Sequence, residues 1–156
     1  MRSPLDFEEY LKRGVAKKQR IDVSRSNFLI QEANKSFLGL KQRIEKIGIN
    51  ELNANSIVKD CYDIIMELVR SKMFLVGYSC SGNFAHEAEV SYMGKLSFSK
   101  IEVEFMNEAR HLRNAIIYYG KILDKEYAEK FFDFLIKIYP KLISLTTRKN
   151  ERNIKK

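Results

Sequence analysis

Apolar residues that recur at steps of three and four run through this chain and leave it little to fold into except helices. Ile30, Ala33, Phe37, Leu40, Ile44 and Ile47 mark one such series, the repeat that lines side chains along one stripe of an α-helix. Breakers are scarce: two prolines and seven glycines stand among 156 residues of which 45% are hydrophobic. A disordered or all-β chain needs more breakers and less apolar material than this, so the expected fold class is all-α, an up-and-down bundle of five to six helices. The length suits one core, with residues 1–145 as a single helical domain and 146–156 as a basic C-terminal tail.

Six helical segments follow from spacing and punctuation. The first covers residues 5–12 and stops at Gly14; the second covers 23–46 and stops at Gly48. Asparagines at 50, 53 and 55 suit a turn before a third helix over 56–76, and residues 77–82 read as a loop. A short fourth helix spans 84–93. The fifth begins at Ser99, whose spacing to Glu102 is that of a capping box, in which each residue satisfies a backbone N–H of the other. Asp124 is the expected N-cap of the sixth, which carries Tyr127, Phe131, Phe134, Leu135 and Ile138 up to Pro140. Leu142, Ile143 and Leu145 then extend it in kinked or restarted form.

No apolar run approaches the roughly 18 residues of a spanning helix, and residues 1–20 lack the apolar stretch of a signal peptide. A cytoplasmic protein without membrane contact is expected. Two cysteines, Cys61 and Cys80, and two distant histidines have neither the number nor the spacing of a disulfide scaffold or a zinc site, so neither cofactor nor metal is expected. The net charge of +8 is uneven. Arg148, Lys149, Arg152, Lys155 and Lys156 face one acid, Glu151, in the tail, and Arg13, Lys17, Lys18 and Arg20 form a second basic cluster. Both are a solvated tail and turn, or contacts for a polyanion.

The fifth helix is the most informative. At about 100° per residue it shows two apolar stripes where a surface helix needs one. Phe105, Ala109, Leu112, Ile116, Tyr119 and Leu123 form the first and read as core. Val103, Met106, Arg110, Arg113 and Ile117 form the second on roughly the opposite side. Two arginines bracketed by apolar residues point to a face covered by a second subunit, most simply in a symmetric dimer. A guanidinium there suits phosphate, being a planar fork of donors that keeps its charge; the bland alternative is that both arginines reach solvent or pair with Glu104 or Glu108. Beside this stripe His111, Asn114 and Tyr118 fall near one line. The imidazole suits general acid or base work, the phenol only hydrogen bonding.

The stretch Arg110-His-Leu-Arg-Asn-Ala-Ile-Ile-Tyr-Tyr-Gly120 resembles the signature of the HEPN family, in which Arg, often followed by a polar residue, precedes His by four to six intervening positions. Arg113 and Asn114 match its first half. Leu75-Val76-Gly77-Tyr78 with Asn83-Phe84-Ala85-His86-Glu87-Ala88 is similar to a stretch of an archaeal-type branch. The resemblance implies a homodimer whose paired signatures line a shared cleft, metal-independent RNA cleavage in active members, and a nucleotidyltransferase as a common partner. Tyr118, Tyr119 and Gly120 fill the positions where the family's His is expected. Loss of that imidazole removes a contribution of roughly 10²- to 10⁴-fold. His111 lies about 10 Å along the helix axis from Tyr118 and does not replace it within one subunit; His86 is the other candidate.

Three functions are consistent with these features. The leading one is a homodimeric module that binds RNA or a nucleotide through Arg110 and Arg113 with little or no catalysis. The others are a toxin-type, metal-independent ribonuclease using Arg113, Asn114, Tyr118 and His111, and a helical adaptor without ligand.

Overall fold

The computed structural model describes the backbone of residues 2–155 and the side chains of residues 2–147. Its helices are α1 (Phe7–Lys12), α2 (Val23–Ile47), α3 (Ala54–Val76), α4 (Ala85–Tyr92), α5 (Lys100–Tyr119) and α6 (Lys125–Lys155). A single 3₁₀ turn, Met93–Leu96, follows α4. The fold is a helical bundle, as the spacing requires. Among the described residues no helix is long and apolar enough to cross a membrane.

α3 is the axis of the bundle. Ile57, Val58, Cys61, Ile64, Ile65, Leu68, Val69, Met73 and Leu75 are all buried on it. A helix apolar around most of its circumference is stable only when covered on most sides, and α2 and α6 supply the largest covering surfaces. Phe37 of α2 stacks on Tyr139 of α6 at 3.7 Å, and the Tyr139 hydroxyl donates to Asn34 Oδ1 at 2.9 Å. Each fully buried Leu or Ile contributes about 1.5–3 kcal/mol relative to exposure, so this three-helix contact dominates stability.

The caps behave as expected. Ser99 accepts from the Glu102 N–H while Glu102 accepts from the Ser99 N–H, and Asp124 accepts from the Tyr127 N–H at 2.8 Å. Two boundaries differ. Residues 77–82 are not wholly loop: Tyr78–Cys80 is a strand, β2, paired antiparallel with Ala16–Lys18, β1, in the register Ala16 to Cys80 and Lys18 to Tyr78. α6 also passes through Pro140 without a restart. Pro140 and Ile136, whose carbonyl loses its partner, are both exposed, while Ile138, Tyr139 and Leu142 hold the buried side. The helix therefore runs into the stretch expected as a tail, where the basic side chains from Arg148 onward lie outside the described residues.

The ribbon turns on Gly77. Its φ of +89° is left-handed, and a Cβ there would stand 2.8 Å from the Gln19 carbonyl oxygen, whose own N–H donates to the Gly77 carbonyl at 2.8 Å. Gly77→Ala is expected to cost about 1–3 kcal/mol and to loosen β1 from β2. Urea unfolding, with amide exchange at Gln19 as the local probe, checks it; unchanged stability and exchange would mean the backbone accommodates the methyl group.

Candidate functional site

α4 holds the unusual residues. Glu87 and Glu89, two positions apart, point to opposite partners, and both are buried. Buried carboxylates are tolerated only when paired and hydrogen-bonded, and each of these is. Glu87 accepts from the Tyr10 hydroxyl at 2.6 Å and lies 3.5 Å from Arg110 Nη2. Glu89 lies 3.1 Å from Arg70 Nε of α3 and 3.1 Å from His86 Nδ1.

α5 delivers its arginines to this layer. The Arg110 side chain is 14% exposed; it donates to Asn107 Oδ1 from Nη2 at 3.0 Å and from Nε at 3.3 Å, and Nη2 stands 3.1 Å from His111 Nε2. Buried Asn107 in turn donates to the Arg2 carbonyl at 2.9 Å, and the Leu5 N–H donates to the Tyr10 hydroxyl at 3.1 Å. The N-terminal segment, α1, α4 and α5 are thus closed into one ring of polar contacts. Arg113 is held differently. Its Nε lies 3.0 Å from Asp63 Oδ1 without the alignment of a hydrogen bond, its guanidinium sits 5.4 Å above the Tyr62 ring, and 27% of its side chain is exposed.

Part of the second stripe is intramolecular. Met106 is fully buried in the core, and both arginines face carboxylates of their own chain. Those partners are Glu87 and Asp63 rather than Glu104 or Glu108. Three guanidiniums (Arg70, Arg110 and Arg113) meet three carboxylates (Asp63, Glu87 and Glu89), which accounts for their burial and leaves no large positive excess. Arg110, with three contacts, is a clasp. Arg113 keeps the outer end of its fork available, and Asn114 beside it is half-buried with no hydrogen bond among the described residues.

The first stripe is also only partly core. Ala109 and Leu123 are buried, Phe105, Leu112 and Ile116 half-buried, and Tyr119 exposed. His111, Asn114 and Tyr118 make no hydrogen bond to one another among the described residues: His111 engages Arg110, whereas Tyr118 is 74% exposed. Burial, then the neighbouring Arg110 charge, lowers the His111 pKa, so its imidazole is neutral at pH 7. His86 belongs to Glu89. Burial pushes both thiols up, Cys80 to about 12, so neither cysteine is a ready nucleophile.

Tyr62, Asp63, Glu87, Glu89, Arg70 and Asn107 are participants that spacing did not reveal. Only α4 carried a signal: two acids flanked by Ala88, Val90 and Tyr92 in a helix with no polar face. A cleft of about 620 Å³ lies elsewhere, between the N-terminal segment and the start of α5, where Glu8 and Glu104 oppose Lys95 and Lys100. Among the described residues no group of three or more His, Cys, Asp or Glu side chains is placed to hold a metal ion. No family model, curated protein or solved structure matches this chain.

Tyr62 carries a testable consequence. Its hydroxyl is buried without a hydrogen-bond partner, a state that costs about 1–3 kcal/mol. Burial is also the main reason its pKa rises to about 12. A folded-state pKa above the unfolded value of 10 stabilises the fold below pH 10, and that contribution is lost as pH rises from 10 to 12. Tyr62→Phe should therefore unfold at equal or higher urea at pH 7 and lose less stability on passing from pH 10 to 12. Destabilisation at pH 7 would mean that the hydroxyl has a partner.

Proposed function

We propose that this chain is a HEPN-like protein that pairs with a second copy of itself through the C-terminal end of α5 and binds RNA or a nucleotide phosphate beside that contact, with little or no catalysis, in the cytoplasm. The observation that carries this reading is the uncovered run Ile117, Tyr118, Tyr119 and Ile122, the last three 74%, 85% and 81% exposed, which begins one turn beyond the available fork of Arg113. The start of α3 and the turn before it pack at the same end: Asn55 of α3 bonds Lys121 and Leu123, the Lys125 N–H donates to Glu51 of the turn, and Leu52 is exposed. Several large apolar side chains exposed at one end of a helix suit an interface, and two copies related by a twofold would cover them with the same surface. Two Arg113–Asn114 pairs then flank one contact, each offering guanidinium donors and a free amide to a phosphodiester. Loss of the family's His at Tyr118 favours binding over cleavage.

A specific observation favours metal-independent cleavage as the second reading. Neutral His111 lies within hydrogen-bond distance of an arginine, the pairing expected of a general base beside a phosphate-stabilising group. In that reading a nucleotidyltransferase partner, as the resemblance implies, restrains the activity.

Two measurements test these readings. Tyr118→Asp/Ile122→Asp should convert a dimer to a monomer by light scattering, with the helical spectrum retained; a wild-type monomer at micromolar concentration would remove the shared cleft. Arg113→Ala should weaken RNA binding by about 1–3 kcal/mol and lower the salt slope by about 0.7. Incubation with cellular RNA in EDTA should give no cleavage by wild type. Cleavage that disappears in both Arg113→Ala and His111→Ala would install the ribonuclease reading instead.

A further inference from the structure

The basic cluster of residues 13–20 runs from the end of α1 through β1 and is not carried by α5. Arg13, Lys17, Lys18 and Arg20 are all exposed. None forms an ion pair among the described residues; Glu8, the acid that feels Lys18, is engaged by Lys95. The segment is not a free loop. Ala16 is buried, the register to Tyr78–Cys80 is fixed, and bonds from Ser81 N to Val15 O and from Gln19 N to Gly77 O extend the pairing at both ends. Four unopposed cations are thus held on a braced scaffold, whereas the arginines of the seam are neutralised by carboxylates.

Beside the ribbon is a cleft of about 250 Å³, lined by Gln19, Arg25, Arg70, Tyr78, Ser79 and Glu89 among others. The Arg25 guanidinium stands 4.5 Å from the centroid of the Phe74 ring and lines the cleft without an ion-pair partner among the described residues. The walls supply an aromatic ring, guanidinium planes, a hydroxyl and a carboxylate, the mixture that receives an unstacked nucleobase and reads its edge. An anionic bilayer surface is a poorer fit. Membrane-binding faces set large apolar side chains opposite their basic ones; the two strands themselves expose none, Ala16 being buried and Tyr78 and Cys80 half-buried, and the exposed Ile21, Val23, Phe28 and Phe84 lie in the flanking segments.

We propose that the β1–β2 ribbon is a second RNA-contact surface, in which Arg13, Lys17, Lys18 and Arg20 hold the backbone of a single strand and the cleft between Arg25 and Tyr78 takes one of its bases. This rests on the reading of the chain as an RNA binder but not on α5 or on dimerisation. Phosphate contacts release counterions, so each contact to single-stranded RNA contributes about 0.7 to the slope of log affinity against log salt concentration.

The test compares wild type, Lys17→Ala/Lys18→Ala/Arg20→Ala, Arg25→Ala and Arg113→Ala for binding to a short oligouridylate, to an RNA duplex of equal length and to phosphatidylserine vesicles across a salt series. Gln19 is left intact because it ties the ribbon to Gly77, and circular dichroism monitors the fold. The ribbon variant should lose about two from the slope and more than about tenfold in affinity at low salt, and Arg25→Ala should weaken the single strand but not the duplex. A ribbon variant with the wild-type slope, alongside a weakened Arg113→Ala, overturns the ribbon surface and leaves the α5 site. A weakened ribbon variant beside an unaffected Arg113→Ala does the reverse. Equal loss of single strand and duplex in Arg25→Ala overturns the base cleft, and wild-type protein that binds vesicles but not RNA overturns the whole proposal.

Discussion

The placement of two carboxylates inside the protein is the constraint on which the arrangement of its helices depends. Residues 87–92 of α4 are all buried, and Glu87 and Glu89 go inside with them. An ion in that environment costs several kcal/mol unless it is paired and its remaining lone pairs are satisfied, so the neighbouring elements have to bring donors. α1 brings Tyr10, α3 brings Arg70, and α5 brings Arg110. Helices that pack through Leu and Ile alone can slide with small losses; helices that must present a guanidinium to a particular oxygen cannot. The hydrophobic contact of α2, α3 and α6 supplies most of the stability, and the polar layer fixes how α1, α4 and α5 sit against it.

The bundle was legible because its signals are local. Apolar steps of three and four, the Ser99–Glu102 box and the Asp124 cap each lie within a few residues, and each appears in the structure. The β1–β2 ribbon was not legible, since two three-residue strands are too short to show alternation and pair across about sixty residues of sequence. Pro140 left a kinked extension and a restart both open, and α6 is one continuous helix through it; spacing alone does not fix which, because the outcome depends on the packing around the proline.

The candidate site shows the same limit more sharply. The sequence correctly singles out α5 as a helix with two partly apolar faces, but an apolar stripe does not say which surface covers it. Met106 belongs to the intramolecular core, and Arg110 and Arg113 found their partners on α3 and α4, at Asp63 and Glu87. Asp63, which is 44% exposed, had no feature that distinguished it from any other surface acid. What the periodicity missed was the uncovered face at the far end of the helix, because Tyr118, Tyr119 and Ile122 flank a glycine stop, where helical spacing ceases to predict direction.

The balance of charge inside the seam bears on where the protein's positive field arises. Arg70, Arg110 and Arg113 are offset by Asp63, Glu87 and Glu89, so they add little to the potential at a distance, although the net charge of the chain is +8. The field that steers a polyanion must come from cations with no carboxylate beside them, and among the described side chains those of the β1 ribbon are the most concentrated group. Guanidiniums fixed in a neutral layer are suited to orient one phosphate, and solvated lysines and arginines on a braced ribbon are suited to collect many. In the proposed reading the two tasks fall to different residues: the most closely held arginines contribute least to attraction, and the most attractive residues contribute least to geometry.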